Sequence, residues 1–234
     1  MNNNYNKLIA ESWNENSFTR NNDIESGNDS SYVNVIIPYV KNKINEYFND
    51  NIDILDIGCG NGFLTNIISK THPNITGIDL SEKFIKQATQ KYPNIPFIFD
   101  DFHNLSDVKK YDLCIATMVI HNTPDLPMFL KKVNSLLNEN GYILIITLHP
   151  VLWAKEKVPE IIYRLEKHYE VPYRDGKGVE YPAKLHYFHR PLTKYLREIE
   201  NNGFSKAVFE ELFEFDDQGN RKADSHIISL FSHK

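Results

Sequence analysis

Residues 54–62 read Ile-Leu-Asp-Ile-Gly-Cys-Gly-Asn-Gly, an apolar run that passes directly into glycines at alternate positions, Gly58, Gly60 and Gly62. Without Cβ atoms these residues let the backbone take positive φ and let a ligand lie against the main chain. A helix beginning just beyond them would point free N–H groups at that ligand. A second apolar run, Thr76-Gly77-Ile78-Asp79-Leu80, ends in an acid about 20 residues after the turn. A carboxylate there, at the tip of the adjacent strand, can accept two hydrogen bonds from a ribose diol. Strand, turn, helix, strand and acid together describe a nucleotide-binding unit far more narrowly than the glycines alone.

Elsewhere short apolar runs alternate with amphipathic stretches, the pattern of a parallel sheet covered by helices on both faces. Strands are expected near 52–57, 75–79, 96–99, 111–117 and 142–148, and helices over 63–71, 81–91 and 124–138. Ser81 suits an N-cap, Pro124 an early helical position, and Gly141 a turn into the fifth strand. Ahead of the sheet, 31–49 reads as a helix that Pro38 should kink or divide, and 5–14 as another that packs over the ligand. At 234 residues, 41% apolar and 12% aromatic, the chain is long enough for one well-buried core. No apolar run approaches the roughly 20 residues of a membrane span, and the Asn-rich start lacks the charge and apolar core of a signal peptide, which points to the cytoplasm. A net charge of −5 with no Lys/Arg block argues against a nucleic-acid backbone partner. The two cysteines, Cys59 and Cys114, make neither a disulfide framework nor a zinc cluster, and Cys59 reads as a small turn residue.

The glycine spacing separates two cofactor types. Dinucleotide sites prefer G-x-G-x-x-G, but here Phe63 holds the third glycine's place and the glycine comes one residue early, at Gly62. G-x-G-x-G two residues after Asp56 resembles motif I of the class I S-adenosylmethionine-dependent methyltransferases. The resemblance covers residues 50–150 best. By it, the turn (Asp56, Gly58, Cys59, Gly60, Gly62) would hold the methionine part of S-adenosylmethionine, and Asp79, followed by Leu80, the ribose hydroxyls. Phe97 to Phe102 would end a third strand at the adenine, with Asp101 on the exocyclic amine, Phe102 against the ring face or in a main-chain contact, and Asp100 as a competitor to Asp101. Tyr111-Asp112-Leu113 looks like the fourth strand, with Asp112 in a packing role. Leu136 to Leu144 looks like the passage to the fifth, with Asn140 in place of a more usual glycine, a residue that also tolerates positive φ. Two last strands, near 205–213 and 225–231, would follow His189-Arg190-Pro191-Leu192 and a helix, the final one antiparallel. The implied fold is α/β, a doubly wound, mostly parallel seven-stranded sheet in a single domain. It would have a helical cap over 1–50, a cofactor-binding core over 51–150, an insertion after the fifth strand over 151–188 and the rest of the core over 189–234.

Ligands of open α/β sheets lie outside the carboxyl ends of the strands, which places chemistry at Met118-Val119-Ile120-His121-Asn122. Met118 would border the cofactor. His121 is a candidate general base for an acceptor hydroxyl, or else packs under the adenosyl group or bonds a loop carbonyl; His149, ending the fifth strand, is a comparable candidate. Methyl transfer can also proceed by alignment alone. Asn122-Thr123-Pro124-Asp125 lacks the second proline and the aromatic of the motif that methylates exocyclic amines of nucleic acids, which counts against that class. His186 and His189 stand three apart in an extended-looking segment, so no metal site is expected. The insertion, rich in aromatics such as Trp153, Tyr173, His186 and Tyr187, supplies walls for an organic substrate or else forms a hairpin or dimer surface; Gly176 and Gly178 suggest a turn or hinge in it. The expected activity is methyl transfer to an oxygen or nitrogen of a small molecule by a monomer or homodimer. The alternatives are an RNA or protein methyltransferase, or a regulatory protein that binds the cofactor without catalysis.

Overall fold

The computed structural model describes residues 2–49, 51–158, 160–175, 177–213 and 226–234. Five parallel strands, β1 (Ile54–Ile57), β2 (Ile75–Asp79), β3 (Phe97–Phe99), β4 (Tyr111–Thr117) and β5 (Leu137–Leu148), lie in one sheet with β8 (Val208–Leu212) and β9 (Ile227–His233). The order is β3-β2-β1-β4-β5-β9-β8, with β9 antiparallel to both neighbours. This is the expected mostly parallel seven-stranded sheet. The order reverses between β1 and β4, where a doubly wound sheet opens a crevice for a ligand.

Alternation along the strands fixes what covers each face. Leu113, Ile115, Leu144 and Ile146 pack with α2 (Ile37–Tyr47) and α3 (Phe63–Ser69) through Val40, Ile44, Leu64 and Ile68. Their strand neighbours Cys114, Ala116, Ile143 and Ile145 face the other way, against Phe129, Leu130 and Val133 of α5 (Leu126–Leu136) and Tyr195 and Ile199 of α7 (Leu192–Asn201). Helix α4 (Glu82–Lys91) starts at Ser81, whose hydroxyl accepts from Phe84 N as an N-cap should.

Several boundaries differ from the sequence reading for local reasons. Helix α5 starts after Asp125, whose carboxylate accepts from Met128 N at 2.9 Å; Pro124 lies outside it, and Pro127 takes the first-turn position. Strand β5 begins at Leu137 and runs through Gly141, with a register shift against β4 between Tyr111 and Leu113, so the expected turn is a bulge within a strand. Asn140 does not use the left-handed conformation: Met118, at φ 59°, is the sole non-glycine with positive φ among the described residues. The segment is divided just ahead of Pro38, which sits in the first turn of α2 after a π-helical turn (Tyr32–Ile36). Of the last strands, β9 runs to His233; residue 225 and Gly176 lie outside the described residues.

Helix α1 spans Asn2–Glu25, far longer than the expected 5–14. It has no continuous apolar stripe, and polar side chains dock it across the carboxyl ends of the strands. Asn14 Oδ1 accepts from Ser81 Oγ at 2.7 Å, Asn6 donates to Asp101 at 2.6 Å, and Asn16 exchanges two hydrogen bonds with the backbone of Ala183. The far side of that docking is the insertion after β5. It consists of α6 (Leu152–Lys157) and an antiparallel pair, β6 (Lys167–Val171) and β7 (Leu185–His189), separate from the main sheet.

Arg190, just after β7, is buried and joins this insertion to the core. Its guanidinium donates to the carbonyls of Thr123 at 2.6 Å, Pro124 at 3.0 Å and Ile120 at 3.2 Å, all in the loop between β4 and α5. Methionine at 190 would leave those buried acceptors without a donor. Arg190→Met should therefore lower the unfolding free energy by about 2–4 kcal/mol, read as a reduced urea midpoint at unchanged slope; an unchanged midpoint would show that the loop holds without it.

Candidate functional site

A cavity of about 170 Å³ opens at the carboxyl ends of β1, β2 and β4, and α1 closes it from above. The glycine turn forms its floor. Gly58, Gly60 and Gly62 all have positive φ, at 70°, 54° and 74°. They do different work. A Cβ on Gly58 would fall 2.4 Å from Val119 and one on Gly62 2.5 Å from the Phe97 ring, whereas one on Gly60 would meet nothing within 4 Å and would project into open space beside the cavity. Gly62 caps α3 and does not line the cavity.

Asp79 ends β2 with its carboxylate at that floor. One oxygen accepts from Gly60 N at 2.8 Å and the other from Ser81 N at 2.8 Å, and Asp79 and Gly60 line the cavity where a ribose diol is expected. Burial raises its pKa while the N–H groups of Ser81, Gly60 and Leu80 oppose the rise. Asp101 begins the short 3-10 turn Phe102–Asn104 and accepts from His103 N, with His103 Nδ1 at 2.7 Å. Burial works against its charge, but the hydrogen bonds from His103 hold its pKa below the usual carboxylate range. Asp100, Asp101, Phe102, Leu80, Cys59 and Met118 all line the same cavity.

Asp56 does not line it. Its carboxylate is buried beneath the turn and accepts from Thr65 Oγ1 of α3 at 2.6 Å, fastening strand to helix. Burial pushes its pKa up to about 7, against the Thr65 hydrogen bond and with help from the Asp79 charge.

A second, smaller cavity of about 50 Å³ adjoins the first and shares Trp13, Arg20, Met118 and Asn122 with it. Its far walls come from the insertion and the end of β5, including Trp153, Tyr173, Tyr187 and Leu148. The Tyr187 hydroxyl lies 3.2 Å from His189 Nδ1, and His189 Nε2 is 2.9 Å from the Tyr163 carbonyl. His121 lines this cavity too, with Nδ1 at 3.0 Å from Thr147 Oγ1. Burial, and then the Arg190 guanidinium, push its pKa down to about 3. His121 is thus a neutral imidazole across the physiological range.

Two candidates are held elsewhere. His149 accepts from Val151 N and Leu152 N through Nδ1 and pairs with Glu211 through Nε2 at 3.1 Å, so it caps α6 and lines neither cavity. His186 stacks on His168 within the β6–β7 pair, Nδ1 to Nε2 3.0 Å, also away from both.

Sequence reasoning expected a helix over 5–14 above the ligand but singled out none of its residues, and it missed the part beyond: Trp13, Arg20 and Tyr32 line the cavity. Arg20 is buried and bonded to Asp29 at 2.7 Å, with its guanidinium 5.4 Å from the Tyr32 ring centre. Its charge is already paired there, with Asp29 and, at 3.5 Å, with Asp23. The residues present fit S-adenosylmethionine. The backbone approach at Gly60 is open, an acid stands at the ribose position, and Thr117 Oγ1 and Asn122 Oδ1 are buried at the cavity without hydrogen-bond partners among the described residues.

A family model described as "Methyltransferase domain" matches residues 48–215. Among curated proteins, the chain is 32% identical over 106 residues to a ubiquinone biosynthesis O-methyltransferase of Pelagibacter ubique, covering 44% of each chain. It is 35% identical over 105 residues to a malonyl-[acyl-carrier protein] O-methyltransferase of Priestia megaterium, covering 43% of this chain and 38% of that one. The chain thus matches less than half the length of these relatives. A solved structure from Listeria monocytogenes, a putative S-adenosylmethionine-dependent methyltransferase, superposes with a TM-score of 0.61 at 18% identity over 82% of this chain and 96% of the other, a likeness of fold.

Two outcomes check the site. Gly62→Ala should cost about 2–4 kcal/mol of stability through strain and overlap with Phe97. Gly60→Ala should cost only about 1 kcal/mol yet weaken S-adenosylhomocysteine binding by more than about tenfold; calorimetry and urea titration showing equal losses for both would contradict the division. Asp56 has a folded pKa near 7 above an unfolded value of about 3.9. Its contribution to stability is therefore full below about pH 4 and lost as pH rises through about 7. Asp56→Asn keeps an acceptor for Thr65 and does not ionise, so its stability relative to the unmutated protein should climb from about pH 4 to 7 and then level off. A difference that stays flat over that range would refute the burial argument.

Proposed function

This chain belongs to the class I S-adenosylmethionine-dependent methyltransferase family, and we propose that it methylates an oxygen or nitrogen of a compact small molecule held in the second cavity. The observation that carries this reading is the junction: a cavity fitted to the donor shares Met118 and Asn122 with a smaller one walled by aromatic side chains. When bound, S-adenosylmethionine supplies a sulfonium methyl group: the acceptor's lone pair bonds to the methyl carbon while the carbon–sulfur pair returns to sulfur, leaving S-adenosylhomocysteine.

The chain's own residues supply position. Gly58 to Gly60 admit the methionyl part against the backbone, Asp79 takes the ribose hydroxyls, and Asp101 with Phe102 takes the adenine. Trp153, Tyr173 and Tyr187 enclose the acceptor's body and exclude water. The Met118 backbone at φ 59° is a strained conformation at the point where the cavities meet, the kind of strain that surrounding structure holds in place at ligand sites. His121 orients the acceptor as a neutral hydrogen-bonding ring, with Nδ1 anchored on Thr147. With a pKa near 3 it is poorly matched to general-base work at neutral pH. Alignment in a dry site supplies the rate. The acceptor's proton leaves to water with the product or remains on an amine.

Transfer of labelled methyl from S-adenosylmethionine to a panel of small alcohols, phenols and amines, with products identified by mass spectrometry, tests the reading directly. Turnover of panel members is the expected result; cofactor binding with transfer to RNA or protein alone would overturn it. His121→Asn should lower turnover by roughly tenfold to a hundredfold and leave the pH profile between about 5.5 and 9 unchanged in shape. Loss of an ionisation near neutral pH in that variant would restore His121 as a base.

A further inference from the structure

His121 and Asn122 border the second cavity, and what lies behind them fixes the hydrogens they offer it. Thr147 Oγ1 is fully buried in β5, and its one partner among the described residues is His121 Nδ1, at 3.0 Å. Leaving that hydroxyl hydrogen unpaired would cost about 1–3 kcal/mol. The hydroxyl therefore donates and Nδ1 accepts, which in a neutral imidazole puts the ring hydrogen on Nε2. Nε2 has no partner among the described residues and is the end of the ring left for the cavity. Asn122 is turned the same way. Its Oδ1 is buried inside the protein, and the end of the amide that remains for a ligand is Nδ2, also without a partner among the described residues. The backbone there is fixed in a short 3-10 turn, with Asn122 N donating to Val119 O at 2.8 Å and Arg190 holding the carbonyls of Ile120 and Thr123. Two unpaired N–H groups on adjacent residues thus stand at the cavity on a rigid support.

No side chain at the cavity is placed to take a proton. No aspartate or glutamate lines it among the described residues, His121 Nε2 already carries its hydrogen, and Arg20 is a cation paired with Asp29 and Asp23. An alcohol must shed a proton as it is methylated, and an alkyl amine arrives protonated at neutral pH. A carboxylic acid, with a solution pKa of about 4, arrives already ionised. Its carboxylate only accepts hydrogen bonds and has two oxygens, so one can take the N–H groups while the other attacks.

We propose that the second cavity takes the methyl acceptor as the carboxylate of a compact, apolar-bodied acid, held by His121 Nε2–H and the Asn122 Nδ2 amide, and that the chain forms methyl esters. One carboxylate oxygen bonds to the methyl carbon as the carbon–sulfur pair returns to sulfur. A carboxylate and a sulfonium become a neutral ester and S-adenosylhomocysteine, no proton moves and no base is used. This deepens the reading above and rests on it: of the oxygen and nitrogen acceptors, carboxylates are preferred, and alcohols and amines remain slower ones. His121 and Asn122 are then specificity-determining residues, because a site built to hydrogen-bond one substrate group discriminates against analogues that cannot pair with it.

The test uses the full chain and three carboxylates, benzoate, cyclohexanecarboxylate and hexanoate, each compared with the primary alcohol and primary amine of the same skeleton. Ligand-observed NMR with S-adenosylhomocysteine bound reads affinity, and mass spectrometry after incubation with S-adenosylmethionine reads products. At least one carboxylate should bind about tenfold or more tighter than its alcohol and amine, and should give its methyl ester with kcat/KM about tenfold or more above theirs. Asn122→Asp puts a carboxylate of nearly the same shape where the amide stood, and His121→Phe removes the other N–H. Each should cut the carboxylate-over-alcohol ratio of kcat/KM about tenfold; a ratio taken within one variant cancels any change in cofactor binding. A smaller preference for all three carboxylates in the unmutated protein, or a ratio that survives in a variant that melts normally, would overturn the proposal. Ethers or methylamines formed without any ester would overturn it too, while leaving the function on which it rests. No binding of S-adenosylhomocysteine, or no small-molecule product of any kind, would instead overturn that function.

Discussion

A hydrogen bond of 2.8 Å from Gly60 N to the carboxylate of Asp79 ties the tip of β1 to the tip of β2, and much of the site follows from it. For the N–H to point there, the backbone at Gly60 must take positive φ, which bares the main chain toward the cavity. For the carboxylate to meet it, Asp79 must end its strand while buried, so the charge stands at the mouth of the sheet where a diol can reach it. Beneath this bond, Asp56 and Thr65 clamp the strand to the helix, and Gly62 lets the chain turn without displacing the Phe97 ring. The donor cavity is thus a consequence of how three glycines and two acids close one βαβ unit.

The acceptor side has a different origin. It is assembled from elements distant in sequence, with α1 above, the β4–α5 loop in the middle and the β6–β7 pair beyond. Polar contacts hold these together: the asparagines of α1 on Ser81, Asp101 and Ala183, and the Arg190 guanidinium on three loop carbonyls. Polar docking keeps the walls in register without apolar bulk, which leaves the space between them free.

This contrast explains what could be read from the sequence. The βαβ unit was legible because its signals are local: β2 and β4 fall at the expected residues, Ser81 caps as expected, and the turn glycines and Asp79 stand where the motif places them. The cavity-facing roles of Trp13, Arg20 and Tyr32 were not, since α1 carries no helical apolar periodicity to reveal its inner side. Nor could spacing separate Asp56 and Gly62, which support the turn from below, from Gly58 and Gly60, which face the cavity. His149 looked equivalent to His121 because both follow strands at the carboxyl edge. Only packing shows one capping α6 and the other bordering the second cavity. Asn122 carried no signal of its own, because an unpartnered amide is a property of its surroundings.

Diffraction from crystals grown with S-adenosylhomocysteine tests the two-cavity account most directly. The account requires the ribose hydroxyls on Asp79, the homocysteine chain over Gly58 to Gly60, and the sulfur turned toward the junction at Met118 and Asn122, so that a methyl group in its place would face the second cavity. Density with the sulfur turned away from that junction, or with the second cavity filled by the cofactor itself, would contradict it.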